Sequence, residues 1–221
     1  MLRFDTIIGD IPYLLLGVPL TLGLTFVAFV AGVAIGLPIA VIRNLHIPVL
    51  GAIVRFVVDF FRTTPPLMHI VWAYYALPVL ADIRLSAFTV VSGALACSSG
   101  AQMSEIFRGA ITAVPRGQWD AGQMIGLSYT QRLWWVILPQ SLRLVYAPTC
   151  NALVSLLKQS SLAAVIALPE VMNRGWVLAA QNFRPIEVLT TVALIYFMLT
   201  WPLALFASHL ERRSSVAYQS E

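Results

Sequence analysis

Pro148, Asn151, Ser155, Lys158 and Ser161 recur at intervals of three or four residues in an otherwise apolar run. On a helix that spacing draws one polar stripe. A stripe of this kind facing lipid is costly, so it must face protein or water. Such a stripe can line a solute path, with Lys158 meeting a solute carboxylate or an acidic partner. Lys158 also lies about 22 Å beyond Arg143 at the ~1.5 Å rise of a helix. That is near enough to the far membrane surface for its amine to snorkel into water instead. His69 stands three residues beyond Pro66. An imidazole there can donate to a solute, accept from it or titrate near neutral pH, or it can pack as a satisfied histidine inside a bundle.

Charge pairs and helix punctuation are the other informative features. Asp59 and Arg62, with Arg55 before them, share a helix face and can pair, as can Glu105 and Arg108 three residues apart. Residues 108–139 form the one long amphipathic, charge-bearing segment. It reads as two short helices with a hinge. Gly126 stops the first by taking the left-handed backbone of a helix end. Ser128 caps the second, with Gln131 at capping-box spacing. Pro139 is expected to force a break before the next apolar run. Asp120, an exposed acid on the first helix, can meet basic residues of a partner or simply stay solvated. Tyr129, Trp134 and Trp135 are expected to anchor at the membrane interface. Glu170 and Glu187 flank an outer segment carrying Arg174, Trp176 and Arg184, which reads either as a docking surface or as a solvated loop.

The elements that must hold these residues are membrane spans. Of the 221 residues, 59% are hydrophobic and 11% charged, and the mean hydropathy is +0.81. A soluble domain carries about 25% charged residues, so the expectation is an all-α integral membrane protein made of a single transmembrane domain. About five spans of roughly 20 residues fit, near 12–42, 56–80, 85–108, 142–166 and 188–210, with a loop at 113–139. The first apolar run is too long for a signal peptide's core and is expected to stay as an anchor. With the N-terminus outside, the inner segments hold Arg43, Arg55, Arg62, Arg108, Arg116, Arg132, Arg143, Arg212 and Arg213, and the outer ones Arg3, Arg84, Arg174 and Arg184. The bias follows the positive-inside rule, placing the 108–139 segment and the C-terminus in the cytoplasm. A net charge of +4 spread along the chain suits an anionic membrane surface and gives no sign of nucleic-acid binding. Cys97 and Cys150 fall in apolar runs as free thiols. No P-loop, no Cys/His cluster with metal spacing and no nucleophile–base pair occurs, and no acid lies mid-span. Neither an ATPase, a metal enzyme nor a proton-coupled carrier is indicated.

At these residues the chain resembles a family. Trp119-Asp120-Ala121-Gly122, then Gly126, then Val136-Ile137-Leu138-Pro139 has the spacing of the EAA loop of binding-protein-dependent ABC importer permeases. Asp120 stands for Glu, Gly122 for the second Ala and Val136 for Ile. Gly122 weakens its helix by roughly 1 kcal/mol relative to Ala. The stretch 61–67, FRTTPPL, is similar to the R-G-T-P-L-L of polar amino-acid permeases, which often carry glutamine where His69 stands. Residues 101–108 resemble A-Y-x-A-E-I-F-R, and Lys158-Gln159-Ser160-Ser161-Leu162 resembles K-D-T-S-L.

The resemblance implies a type I ABC importer permease fold in the bacterial inner membrane. Trp119, Asp120, Ala121, Gly122, Gly126 and Pro139 would then couple to a cytoplasmic ATPase, and Gln159 and Ser160 would join the solute path. It also implies an ABC ATPase dimer holding ATP and magnesium, a second permease copy or homologue, and an extracytoplasmic solute-binding protein. This chain itself would bind no cofactor and would not be an enzyme. The implied cargo is a polar amino acid or a related zwitterion. The alternative function is an ion-coupled secondary carrier.

Overall fold

The computed structural model describes residues 4–44 and 48–219, and among them every regular element is helical. Arg3 lies outside the described residues, as do the side chains of Arg212 and Arg213. Two 3-10 turns, Phe4–Thr6 and Ile8–Asp10, lead into α1 (Ile11–Leu15) and then α2 (Val18–Asn44). The next helices are α3 (Pro48–Thr63), α4 (Pro66–Ala81) and α5 (Ala87–Ala113). The connecting element is α6 (Arg116–Met124) and α7 (Tyr129–Arg132), followed by a π-helical turn, Leu133–Ile137. After it come α8 (Leu138–Gln159), a 3-10 stretch Ser160–Ile166, α9 (Val171–Asn182) and α10 (Pro185–Gln219).

Lipid allows this architecture because a helix satisfies its backbone groups internally. Among the described residues three helical runs are long and apolar enough to cross a membrane: Val18–Asn44, Tyr129–Ile166 and Pro185–Glu211. α4 is apolar but has 16 residues. α5 has 27 residues and carries serines, Glu105 and Arg108. It tolerates them because it is the central helix, packed against α2, α3, α4 and α8 rather than lipid.

α2 and α5 meet at backbone distance. A Cβ added at Gly32 would lie 2.4 Å from Ser99 Oγ, and one at Gly100 would lie 2.8 Å from Ile35 Cγ2. Small residues on both helices create this crossing, which gains its stability from dispersion contacts rather than from water expulsion. Leu24, Ala28, Val91 and Leu95 extend it toward one end, and Ala40, Met103 and Phe107 toward the other.

The stretch 56–80 holds the end of one helix and most of another, because Pro65 has no N–H and keeps its own backbone extended (ψ 134°), so α3 ends at Thr63 and α4 starts at Pro66. One expectation needs correction. Pro139 does not break the chain. The π turn ends with the Leu138 N–H bonded to the Leu133 carbonyl, five residues back. That wider turn makes room for a proline ring inside a continuous helical run.

At Gly36 an added Cβ would lie 2.5 Å from Met103 Cβ and 2.8 Å from the Gly100 carbonyl oxygen. Gly36→Ala is therefore expected to destabilise the detergent-solubilised chain by about 1–3 kcal/mol, read as a lower Tm. Gly23→Ala on the same helix meets nothing within 4 Å and should melt at or above the wild-type temperature. Equal melting of the two variants would dispose of the tight crossing.

Candidate functional site

The α6–α7 elbow is built from local rules. α6 ends in paired terminal hydrogen bonds: Gly126 N–H donates to the Gln123 carbonyl at 3.0 Å, and Leu127 N–H to the Gly122 carbonyl at 3.1 Å. Gly126 sits at φ +81°, the left-handed region this ending requires. Ser128 then opens α7 with a complete capping box to Gln131.

Side chains weld the elbow to the bundle. Trp119 stacks on Tyr129 with ring centroids 5.4 Å apart, and the Tyr129 hydroxyl donates to the Asn44 carbonyl at 2.6 Å. Arg132 donates to the Trp119 carbonyl at 3.2 Å and to Gln123 Oε1 at 3.0 Å. Its stem lies where a Cβ on the buried Gly122 would sit, 2.9 Å from Cγ. Ile111, Val114, Leu133 and Ile137 form an apolar floor beneath. On the outward side Asp120 and Ala121 are exposed, and at the tip Met124 and Ile125 are 88% and 74% exposed. A small helix with a single acid and two apolar side chains at its tip is suited to insertion into a socket on another protein.

Next to the elbow, Glu105 on α5 gathers three guanidinium groups. Arg43 of α2 lies 2.6 Å away, Arg108 of α5 2.7 Å and Arg62 of α3 3.4 Å. Asp59 is 4.0 Å from Arg62. Arg43 and Glu105 are largely shielded, with side chains 10% and 18% exposed, so this clasp ties three helices more firmly than a surface pair would.

The polar face of α8 points out of the single chain. Asn151 and Lys158 are exposed and Ser155 is half-buried. Asn151 donates to Glu211 Oε1 of α10 at 2.9 Å, and Gln159 to Ser155 at 3.2 Å. Ser160 is fully buried and returns its proton to the Leu157 carbonyl, while Ser161 donates to the Lys158 carbonyl. His69 lies on α4, its Nδ1 3.1 Å from Ser98 Oγ of α5 and its ring against Phe60 and Phe61. Its Nε2 is buried without a hydrogen-bond partner.

At the opposite end, Glu170 is completely buried and caps α9, accepting from Met172 N–H at 2.9 Å and Asn173 N–H at 2.8 Å. The Tyr196 hydroxyl of α10 donates to Glu170 at 2.5 Å. Thr21 Oγ1 of α2 lies 3.4 Å from the carboxylate and 3.2 Å from the Gly17 carbonyl, sharing one proton between them. Burial pushes the Glu170 carboxyl above its usual range, against the pull of these donors.

Residues 32–216 match the family described as "Binding-protein-dependent transport system inner membrane component". The chain belongs to this family. It is 34% identical over 206 residues to the probable amino-acid ABC transporter permease protein YckA of Bacillus subtilis, covering 93% of this chain and 91% of that protein. It is 31% identical to the glutamine transport system permease protein GlnP of Escherichia coli K12, covering 93% and 94%. A crystal structure of an amino acid ABC transporter with histidines superposes at TM-score 0.90, with 29% identity over 96% of this chain and 99% of that one. An inward-facing MetNI methionine ABC transporter at 21% identity, TM-score 0.77, covering 91% and 96%, shares the fold.

The chain is thus a permease-type membrane component rather than an enzyme, and membership of the family implies an ATPase and a permease partner. These relatives lend no support to an ion-coupled carrier.

Within this permease, several expected residues take other places. Tyr129 serves as an internal tie, because its half-buried hydroxyl donates to the carbonyl at the end of α2. Glu170 and Glu187 are buried, not solvated. Ser160 lies inside the bundle and away from the α8 stripe. His69 lies between α3 and α5, against Ser98, Phe60 and Phe61. Arg43 and Glu211 were not singled out as partners. No local spacing reveals them, since their partners are 62 and 60 residues away in the chain.

Glu105→Gln would leave three guanidinium groups without their shared carboxylate. We expect a loss of about 1–3 kcal/mol, measured as a lower Tm of the purified chain. An unchanged Tm would reduce the clasp to a solvated cluster.

Proposed function

We propose that this chain is the permease subunit of an ATP-driven importer for polar amino acids or related zwitterionic solutes. The elbow carries the proposal: a capped helix tied to the bundle by Tyr129 and Arg132, presenting Asp120, Met124 and Ile125 outward. In this reading α6 seats on a cytoplasmic ABC ATPase dimer, where ATP and magnesium are held. This chain binds no nucleotide. The arginines of the inner segments support an N-terminus outside and the elbow inside. ATP binding closes the ATPase dimer, the elbow carries that motion into the spans, and the path alternates between its inward and outward openings.

The α8 stripe supplies the solute side. Glu211 beside Asn151 and Lys158 two turns along the same face offer both charges a zwitterion needs. The stripe is open in a single chain and too polar for lipid. A second permease copy, or a similar subunit, covers it and completes the path. An extracytoplasmic binding protein delivers the solute. The names of the relatives, glutamine among them, support an amino acid as cargo.

Asp120→Lys is expected to abolish co-purification of the ATPase and ATP-driven uptake while the chain still inserts in the membrane. Retention of the ATPase at wild-type stoichiometry would count against docking through α6. Lys158→Ala is expected to change solute selectivity or solute-stimulated ATP hydrolysis, measured in proteoliposomes, and unaltered transport would move the path off α8.

A further inference from the structure

One end of α2 is tied to a tyrosine directly, and the other through a buried acid that a second tyrosine holds. At one end the Tyr129 hydroxyl of the elbow donates to the carbonyl of Asn44, the last residue of α2. At the other, Thr21 in the first turns of α2 lies against the buried Glu170, which Tyr196 of α10 also holds. Gly17, just before α2, touches the same place: a Cβ there would lie 2.5 Å from the Val171 nitrogen. From Thr21 to Asn44 the 27-residue α2 runs unbroken, about 35 Å at ~1.5 Å per residue. It is stiffened along its length by the backbone-close contact with α5 at Gly32 and Gly36. Pro38 lies inside it without ending it.

We infer that α2 is a rod that carries displacement of the elbow to α9 and α10 at the far end, with Tyr129 and the Tyr196–Glu170 pair as its two positioning contacts. This rests on the proposed function and adds a route to it. The covalent route from the elbow runs through the π turn into α8. The Tyr129 route enters α2 and reaches the buried acid at the N-terminus of α9. Among the described residues no guanidinium or ammonium group donates to Glu170. Its donors come instead from α2, α9 and α10, so displacement of any one is felt by the other two. A physical claim of coupling requires that perturbing the two ends be non-additive.

Each contact can be released by deleting one oxygen. Tyr129→Phe, Tyr196→Phe and the double variant would be assembled with the cognate ATPase and binding protein in proteoliposomes, and solute moved per ATP hydrolysed would be measured. Each single variant is expected to lower that ratio about threefold or more, and the double variant no further than the worse single. Wild-type behaviour of either single variant overturns the rod. So does a double variant whose loss is the product of the two, because the ends then act separately. Should Tyr196→Phe fail to assemble, Glu170→Gln takes its place with the same expected results. Wild-type uptake indifferent to ATP would remove the functional reading and the rod together. ATP-driven wild-type uptake with unchanged variants removes the rod alone.

Discussion

The close approach of α2 and α5 is the constraint on which the remaining contacts depend. Where Gly32, Gly36 and Gly100 meet Ser99, Met103 and Ile35, there is no room for a methyl group. In lipid no water is expelled when helices associate, so fit has to supply what hydrophobicity supplies in a soluble core. The two helices therefore behave as one beam. The beam fixes the distance between the Arg43–Glu105 clasp and the Glu170 cap, which could not both form if α2 slid along α5.

Polar groups in this bundle are placed by a consistent rule. The two shielded carboxylates tie one segment to another: Glu105 joins α2, α3 and α5, and Glu170 joins α2, α9 and α10, while the buried hydroxyls of Thr25, Ser104 and Ser160 bond back to carbonyls three or four residues earlier in their own helical runs. The polar groups left exposed within apolar surroundings lie on α8, where Asn151 and Lys158 face away from the chain's own core. A buried carboxylate missing its donors costs more than a missing packing contact, which is why each is surrounded by several. The outward stripe has no such completion within one subunit, and that incompleteness is an argument for a second one.

Legibility in the sequence tracked the range of the interaction. The elbow was readable because its signals are local: Gly126 needs a positive φ, and Ser128 and Gln131 bond across three residues. The all-helical membrane class followed from the apolar runs. Contacts between distant segments were not readable. Nothing near Tyr129 says that its hydroxyl reaches Asn44, and an aromatic next to two tryptophans reads as an interfacial anchor by composition alone. Glu170 looked like a loop acid because its donors are two backbone N–H groups and two hydroxyls, none of them charged. Pro139 misled for another reason. Its effect depends on hydrogen-bond register, and a π turn changes that register without any change in residue type.

Gly122 and Arg132 show how one departure from the family pattern can be understood through another residue. A glycine inside α6 lowers helix propensity by about 1 kcal/mol relative to alanine, and the coupling role proposed for the elbow gains nothing from a softer helix. The Arg132 stem, however, occupies the space an alanine Cβ would take, and its guanidinium reaches the Trp119 carbonyl and Gln123 on α6. The glycine thus admits a side chain that braces α6 against α7 from inside the bend. What the first helix loses in local preference is offset by a cross-brace, and stiffness moves from the helix to the joint. Under the proposed coupling, in which the elbow keeps its angle while it is pushed, the joint is where stiffness matters.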